Sequence, residues 1–192
     1  MHVRRRQRKR KQSSKHHDEP KFFDPERASY LQELYDEFKT TKCQDARRQT
    51  LANLANFAYN PENYGHLISS MSIHCSFLQS INSADDFIAI ISIKGLCNMA
   101  MHPMVAELIG KNESLMKILS CIECRKHLID FIINGLLLLI IVIKEMNQPI
   151  DEQIRIRLKT MMTTINNEID DVRVRNYCHL LLMDNVDDNK LC

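Results

Sequence analysis

The chain has 192 residues, with 4 Gly, 5 Pro, no Trp and 6% aromatic residues. This scarcity of turn-forming and strand-favouring residues argues against a β-rich fold and favours an all-α fold. Four glycines also argue against a Gly-rich phosphate loop, and no nucleophile elbow or metalloprotease motif is present, so we predict a protein that is not an enzyme.

The net charge of +2 divides unevenly along the chain. Residues 1–21 carry nine Lys or Arg against two carboxylates, whereas the remainder carries 17 basic and 22 acidic residues. We expect residues 1–22 to form a disordered basic tail, because almost nothing in them is apolar. Its charge is concentrated in Arg4, Arg5, Arg6, Arg8, Lys9, Arg10 and Lys11. Such a run is typical of a nuclear-import signal or a nucleic-acid-binding arm, the alternative being a solvated tail.

Helical patterns follow in chain order. Asp24-Pro25 predicts the start of a first helix, with Asp as N-cap and Pro at the first helical position. Its apolar stripe is Tyr30, Leu31, Leu34, Tyr35 and Phe38. Further helices are predicted at about 45–59, 61–69, 71–82, 84–99, 103–110, 112–122, 125–145, 150–165 and 170–183. The lengths recur as short, short and long, which predicts one repeat domain over residues 23–186 and a polar tail at 187–192.

An internal repeat supports this organisation. Residues 51–58 (LANLANFA) recur 42 residues later at 93–100 (IKGLCNMA), which places Asn98 at the position of Asn56. A weaker third copy lies at 134–140, where Gly135-Leu136 echoes Gly95-Leu96. Self-similarity at about 40–47 residues in a helical sequence indicates an armadillo-type α-solenoid, here of about three to four units. The end helices, at 25–39 and 170–183, are expected to be polar caps.

The cysteines and the longest apolar run carry no membrane or metal signal. Seven cysteines, an odd number set in apolar helical patterns, predict reduced thiols. The 13-residue run 131–143 is shorter than the about 20 residues that a bilayer span needs, and predicts a fully buried helix. Cys121, Cys124 and His127 have a spacing that zinc could use, but a structural zinc needs four ligands. We predict no metal and no cofactor.

Four segments resemble the armadillo repeat-containing protein 7 family: residues 29–34 (SYLQEL), 44–46 (QDA), 49–64 (QTLANLANFAYNPENY) and 95–98 (GLCN). The match is dense over 29–64, patchy to about 100, and then follows the hydrophobic pattern. The resemblance implies a small nuclear adaptor that pairs with RNA-binding motif protein 48, a protein with an RNA-recognition motif. The pair would act in the minor spliceosome, which removes U12-type introns, at the capped 5′ end of U6 small nuclear RNA.

Two features depart from the family pattern. Leu138 stands where the third copy would carry the asparagine, and the basic run 4–11 has no counterpart in the family pattern.

The resemblance also points to the binding residues. In armadillo repeats, an asparagine at the position of Asn56 and Asn98 lies on the concave face and pairs with the main chain of an extended partner segment. The predicted partner-binding residues are Asn53, Asn56, Tyr59, Lys94 and Asn98. The alternative for the asparagines is a local hydrogen bond to a neighbouring repeat. Arg47, Arg48 and Lys94 are candidates for RNA phosphate contacts, but the acidic body favours ordinary exposed charges.

The sequence therefore predicts a nuclear, non-catalytic adaptor that binds an RNA-recognition-motif splicing protein and meets U6 RNA indirectly or in part. We expect no membrane partner and no small-molecule substrate. A generic peptide-binding scaffold or import-type adaptor, using the acidic body to bind a basic segment, is the alternative. Direct RNA binding through the tail remains compatible with either.

Overall fold

The computed structural model describes residues 25–146 and 148–186. The basic tail, the proposed N-cap Asp24 and the polar tail 187–192 lie outside the described residues. Within those residues the α-helices are α1 (Pro25–Thr40), α2 (Gln44–Phe57), α3 (Ile73–Ser80), α4 (Asp86–Met99), α5 (Pro103–Ile109), α6 (Asn112–Cys124), α7 (Ile129–Glu145), α8 (Glu152–Glu168) and α9 (Val172–Val186). A 3₁₀ turn, Pro61–Asn63, and a π-helical turn, Gly65–Ser70, join α2 to α3.

Four of these helices form a row. α2 packs on α4, α4 on α7, and α7 on α9. Other helices lie behind them, with α3 against α4, α6 against α7 and α8, and α8 against α9. Two complete three-helix units, 61–99 and 103–145, are thus flanked by the helix pairs α1–α2 and α8–α9. The prediction of an all-α solenoid is confirmed.

Aspartates at helix starts set the beginnings of three helices. Asp85 Oδ1 accepts hydrogen bonds from the main-chain N–H groups of Phe87 and Ile88, at 3.0 and 3.4 Å, ahead of α4. Asp151 caps α8 in the same way, and Asp171 caps α9. Each carboxylate satisfies main-chain donors that a helix leaves unpaired in its first turn.

A single apolar core runs from Leu31 in α1 to Leu181 in α9. The repeated glycines allow the long helices to approach the helices behind them. A Cβ atom on Gly95 of α4 would lie 2.6 Å from the ring of Phe77 in α3. A Cβ atom on Gly135 of α7 would lie 2.7 Å from Ile122 in α6. The echo of Gly95 at Gly135 therefore marks the same close contact in consecutive units.

One expectation about the apolar helices is wrong. α7 is not fully buried, because Ile133, Leu137, Ile140 and Ile141 are only half-buried along one side of the helix. The last helix, α9, exposes apolar side chains beside polar ones, with Val172, Leu180 and Met183 exposed at 61%, 42% and 59%. In the described ranges, no helix has the length and hydropathy needed to cross a membrane.

The start of α7 also differs from its prediction. The helix begins at Ile129 instead of near residue 125, because residues 125–128 form a break. Arg125 in this break is buried, and its Nη2 atom donates a hydrogen bond to the carbonyl oxygen of Ser83 at 2.6 Å. The guanidinium also lies 5.4 Å from the centre of the Phe131 ring. The break thus joins the second complete unit to the loop between α3 and α4 in the first.

Candidate functional site: the open face of the helix row

One side of the row is left uncovered by the other helices, and we call it the row face. Its residues recur at three- and four-residue spacing and are all exposed or half-buried. They are Gln49, Asn53 and Asn56 on α2; Phe87, Ile91, Lys94 and Asn98 on α4; Asp130, Asn134, Leu137 and Ile141 on α7; and Asn176, Leu180 and Met183 on α9.

The chemistry of the row face changes along the row. α2 presents only amide side chains, whereas the later helices present apolar side chains beside polar ones, including Phe87 with 45% of its surface exposed and Leu180 with 42%. The face therefore offers both apolar and hydrogen-bonding side chains to solvent.

Ion pairs link adjacent helices along the row. Arg48 Nε lies 2.9 Å from Asp85 Oδ2, and the Arg48 guanidinium lies 5.9 Å from the centre of the Phe87 ring. The hydrogen bond from Arg48 is the main cause that lowers the pKa of Asp85 to about 2, and hydrogen bonds from Gln44 and the main chain add to it. On the next pair of helices, Lys94 Nζ lies 3.5 Å from Asp130 Oδ2.

These contacts bear on the three candidate phosphate ligands. Arg48 and Lys94 are both held in ion pairs between helices. Arg47 lies over the ring of Phe38, 5.2 Å from its centre. The arrangement supports the reading of these residues as structural or ordinary surface charges.

The asparagines of the row differ in what they bind. Asn98 Nδ2 donates to the main-chain oxygen of Ala55 on α2, at 3.0 Å. Asn53 Oδ1 accepts from Gln49 at 3.1 Å, and Asn134 Nδ2 donates to the main-chain oxygen of Asp130 at 2.6 Å. Asn56 is exposed, and its side chain makes no hydrogen bond to any described residue. Asn98 thus forms the inter-repeat bond that was the alternative to partner binding, and Asn56 keeps both ends of its amide available.

Tyr59 and Met101 mark the edge of the row beyond the ends of α2 and α4. Tyr59 is 78% exposed, and Met101, one repeat later, is 67% exposed. Tyr59 therefore offers an aromatic surface next to Asn56. Partner binding by Asn53, Asn56, Tyr59, Lys94 and Asn98 stays a prediction.

A shallow pocket of about 270 Å³ opens at the same end of α2. Its lining residues are Arg27, Asn56, Phe57, Asn60 and Asn63. Sequence reasoning missed all of these except Asn56. The signal was the series of asparagines at 53, 56, 60 and 63, whose spacing of three, four and three continues one side of α2 into the following turn.

The described residues provide no metal centre, since no three or more His, Cys, Asp or Glu side chains lie close enough to hold an ion. Cys121 is buried, Cys124 is exposed, and His127 lies 3.7 Å from Asp86 on α4. Burial raises the pKa of Cys97 to about 12 and that of Cys178 to about 11. These thiols are held in the protonated form, which is a poor nucleophile and a poor metal ligand.

Comparison with known proteins agrees with the repeat architecture. No family model matches the chain. Over 71 residues it is 45% identical to Armadillo repeat-containing protein 7 of Mus musculus. The chain resembles that protein. The aligned part covers 37% of this chain and 35% of the relative, so the match spans about a third of the relative's length. The resemblance predicted from the sequence is confirmed, and together with the stacked helices it indicates an armadillo-type repeat scaffold.

Proposed function

We propose that this chain is a non-catalytic adaptor that binds an RNA-recognition-motif protein, similar to RNA-binding motif protein 48, in the minor spliceosome of the nucleus. The assembly would lie near the capped 5′ end of U6 RNA. The row face carries the proposal, because it joins uncovered apolar side chains to hydrogen-bonding amides on four rigid helices. The class of partner is what the resemblance of residues 29–64 and 95–98 to the armadillo repeat-containing protein 7 family implies.

The charges of the row favour a protein over RNA as its direct ligand. Binding to phosphates normally needs a cluster of available basic side chains. Arg48 and Lys94 are paired with carboxylates, and the chain after residue 21 carries 22 acidic against 17 basic residues. U6 RNA would therefore be reached through the partner, with the basic run 4–11 adding affinity that does not depend on sequence.

A scaffold role also fits the chemistry of the buried groups. Burial raises the pKa of the Cys97, Cys121 and Cys178 thiols and lowers the pKa of His74. In each case burial favours the uncharged form of the side chain, as expected for side chains that fill a core. These residues support packing between repeats rather than acid–base or nucleophilic chemistry.

The proposal is tested by incubating two tagged chains with nuclear extract, the full chain and one lacking residues 1–22. Bound proteins and small RNAs are identified together, before and after ribonuclease treatment. We expect both chains to retain U6 RNA before ribonuclease treatment. We expect both to retain an RNA-recognition-motif protein before and after that treatment. Absence of both the protein and U6 RNA would overturn the proposal.

The same experiment separates the alternatives. A scaffold for basic peptides would retain proteins without an RNA-recognition motif, and these would be released by high salt. RNA binding through the tail would disappear with residues 1–22 and would fall steeply with salt concentration.

A further inference from the structure

The pocket at the end of α2 combines polar groups that the fold leaves unused. Asn53, Asn98 and Asn134 each form a hydrogen bond within the protein through their side-chain amide. The side chain of Asn56 forms no hydrogen bond to any described residue, and Asn56 forms one wall of the pocket. An amide in this state offers one acceptor and two donors to a ligand.

A second polar group lies in the wall formed by the following turn. Asn63 is 2% exposed, and its Nδ2 donates to the main-chain oxygen of Phe57 at 2.8 Å. Its Oδ1 atom is buried and accepts no hydrogen bond from the described residues. Buried acceptors are nearly always paired in proteins, so this oxygen marks a place behind the pocket wall where a donor is missing.

The apolar part of the pocket is aromatic. The Phe57 ring lines it and meets the ring of Tyr30 edge to face, with 5.8 Å between the ring centres. This contact fixes the orientation of Phe57. Aromatic rings pack well against such a ring in stacked or edge-to-face geometry. The pocket volume of about 270 Å³ suits a single large side chain.

The rim of the pocket argues against a nucleotide. Arg27, in the wall, lies 3.4 Å from Glu62, so its charge is already opposed by a carboxylate. The Glu62 side chain is 72% exposed beside the pocket. A nucleotide would bring its phosphate close to this carboxylate, whereas an uncharged amino-acid side chain would not.

We propose that this pocket binds an aromatic side chain with an N–H or O–H donor, a tryptophan or tyrosine, from the protein partner. The ring would pack on Phe57, and its donor would reach the amide oxygen of Asn56. This inference rests on the proposed function in requiring a protein partner. It places the partner's anchor at the edge of the row, between α1, α2 and the turn at 61–63, where tryptophan and tyrosine are frequent contributors to binding energy.

The first test uses N-acetyl-tryptophanamide, with N-acetyl-leucinamide as the control probe. The chain contains no Trp, so the fluorescence of the probe is read without a tryptophan background from the protein. Amide NMR spectra of the chain should show shifts at Asn56, Phe57 and Asn63 with the aromatic probe and smaller ones with the aliphatic probe. Equal shifts with both probes, or no shifts in this region, would contradict the proposal. Shifts caused there by uridine or adenosine monophosphate, but not by the tryptophan probe, would also overturn it.

The second test uses Asn56→Lys, which places a long charged side chain in the pocket mouth. Asn167→Lys is the matched control, since Asn167 is also exposed but lies on α8, outside the row. Both variants should unfold at the wild-type temperature. We expect Asn56→Lys to weaken partner capture roughly tenfold and Asn167→Lys to leave it nearly unchanged.

The outcomes of this pair separate the pocket from the proposed function. Equal capture of an RNA-recognition-motif protein by wild type and Asn56→Lys would contradict the proposed role of the pocket and support the proposed adaptor function. Capture of a different class of protein, lost only in Asn56→Lys, would support the pocket and contradict the function.

Discussion

Asn98 donates its side-chain amide to the main-chain oxygen of Ala55 across the boundary between the first helix pair and the first complete unit, at 3.0 Å. The main-chain oxygen of Asn98 in turn accepts a hydrogen bond from the Tyr64 hydroxyl at 2.7 Å. Asn98 therefore joins α4 both to α2 and to the turn that follows α2. Asn56, the equivalent residue one repeat earlier, has no such bond, so one motif position has a stacking role in one unit and an open amide in the other.

This difference predicts opposite effects on stability for the same substitution. Asn98→Ala leaves the Ala55 carbonyl without its donor and should lower the free energy of unfolding by about 0.5–1.5 kcal/mol. Asn56→Ala removes no internal bond and should change it by less than about 0.5 kcal/mol. Urea denaturation of the two variants measures both values. Equal destabilisation would show that the two asparagines do not differ in role.

The two repeated glycines should respond differently to Ala. In Gly95→Ala the new methyl group meets the fully buried ring of Phe77, which has little room to move, and we expect a loss of about 1–3 kcal/mol. In Gly135→Ala it meets Cδ1 and Cγ1 of Ile122, which is also fully buried but can move its Cδ1 atom aside by rotation about χ2. The higher helix propensity of Ala, about 1 kcal/mol, should then offset part of a smaller cost. Thermal unfolding of both variants is the measurement, and a greater loss in Gly135→Ala would contradict the packing described.

The Arg48–Asp85 pair should make stability depend on pH. Because the pKa of Asp85 is lowered to about 2 in the folded protein, the ionised carboxylate stabilises the fold above the ordinary pKa of an aspartate. That contribution is lost as the pH falls through about 2. Asp85→Asn should cost about 0.5–1 kcal/mol at pH 7 and progressively less as the pH falls from about 4 toward 2.

Arg48→Gln provides the matching control, because it removes the basic partner of the same Arg48–Asp85 ion pair. Its difference from wild type should shrink over the same pH range. A difference that stays constant for either variant between pH 7 and pH 2.5 would show that this pair does not contribute to the pH dependence.

Thiol reactivity should divide the six described cysteines into two groups. Cys43, Cys75 and Cys124 are exposed and should react with iodoacetamide in the native protein. Cys97, Cys121 and Cys178 are buried and have raised pKa values, so they should react only after unfolding. Mass spectrometry of digested samples identifies the labelled sites. Rapid native labelling of Cys97 would show that the α4–α7 contact opens readily.

The repeat itself was predictable from sequence because its determinants are local and periodic. The recurrence of Leu54 as Leu96, both fully buried, and of Gly95 as Gly135 records the same packing in each unit. The helix expected at about 84–99 is found at Asp86–Met99, with Asp85 as its cap. The break before α7 was not predictable, because it depends on Arg125 reaching the Ser83 carbonyl 42 residues away.

The site was less predictable for a related reason. Helical spacing placed Asn56 and Asn98 on the row, but which amide remains available depends on the distance between adjacent helices. The exposed side of α7 was likewise hidden in a continuous apolar run, which has no polar stripe to mark the face left uncovered. The pocket combines residues from α1, α2 and a turn, so no single periodic pattern contains it.

Capture from nuclear extract by variants of the row face tests the central claim most directly. Leu137→Lys combined with Leu180→Lys places charges on the apolar part of the face, and Ile156→Lys is the control on α8, outside the row, where Ile156 is 58% exposed. All chains must first show comparable thermal unfolding. We predict that wild type and Ile156→Lys retain an RNA-recognition-motif protein and that the double variant does not. Equal retention by all three, or retention of no such protein by wild type, would contradict the account.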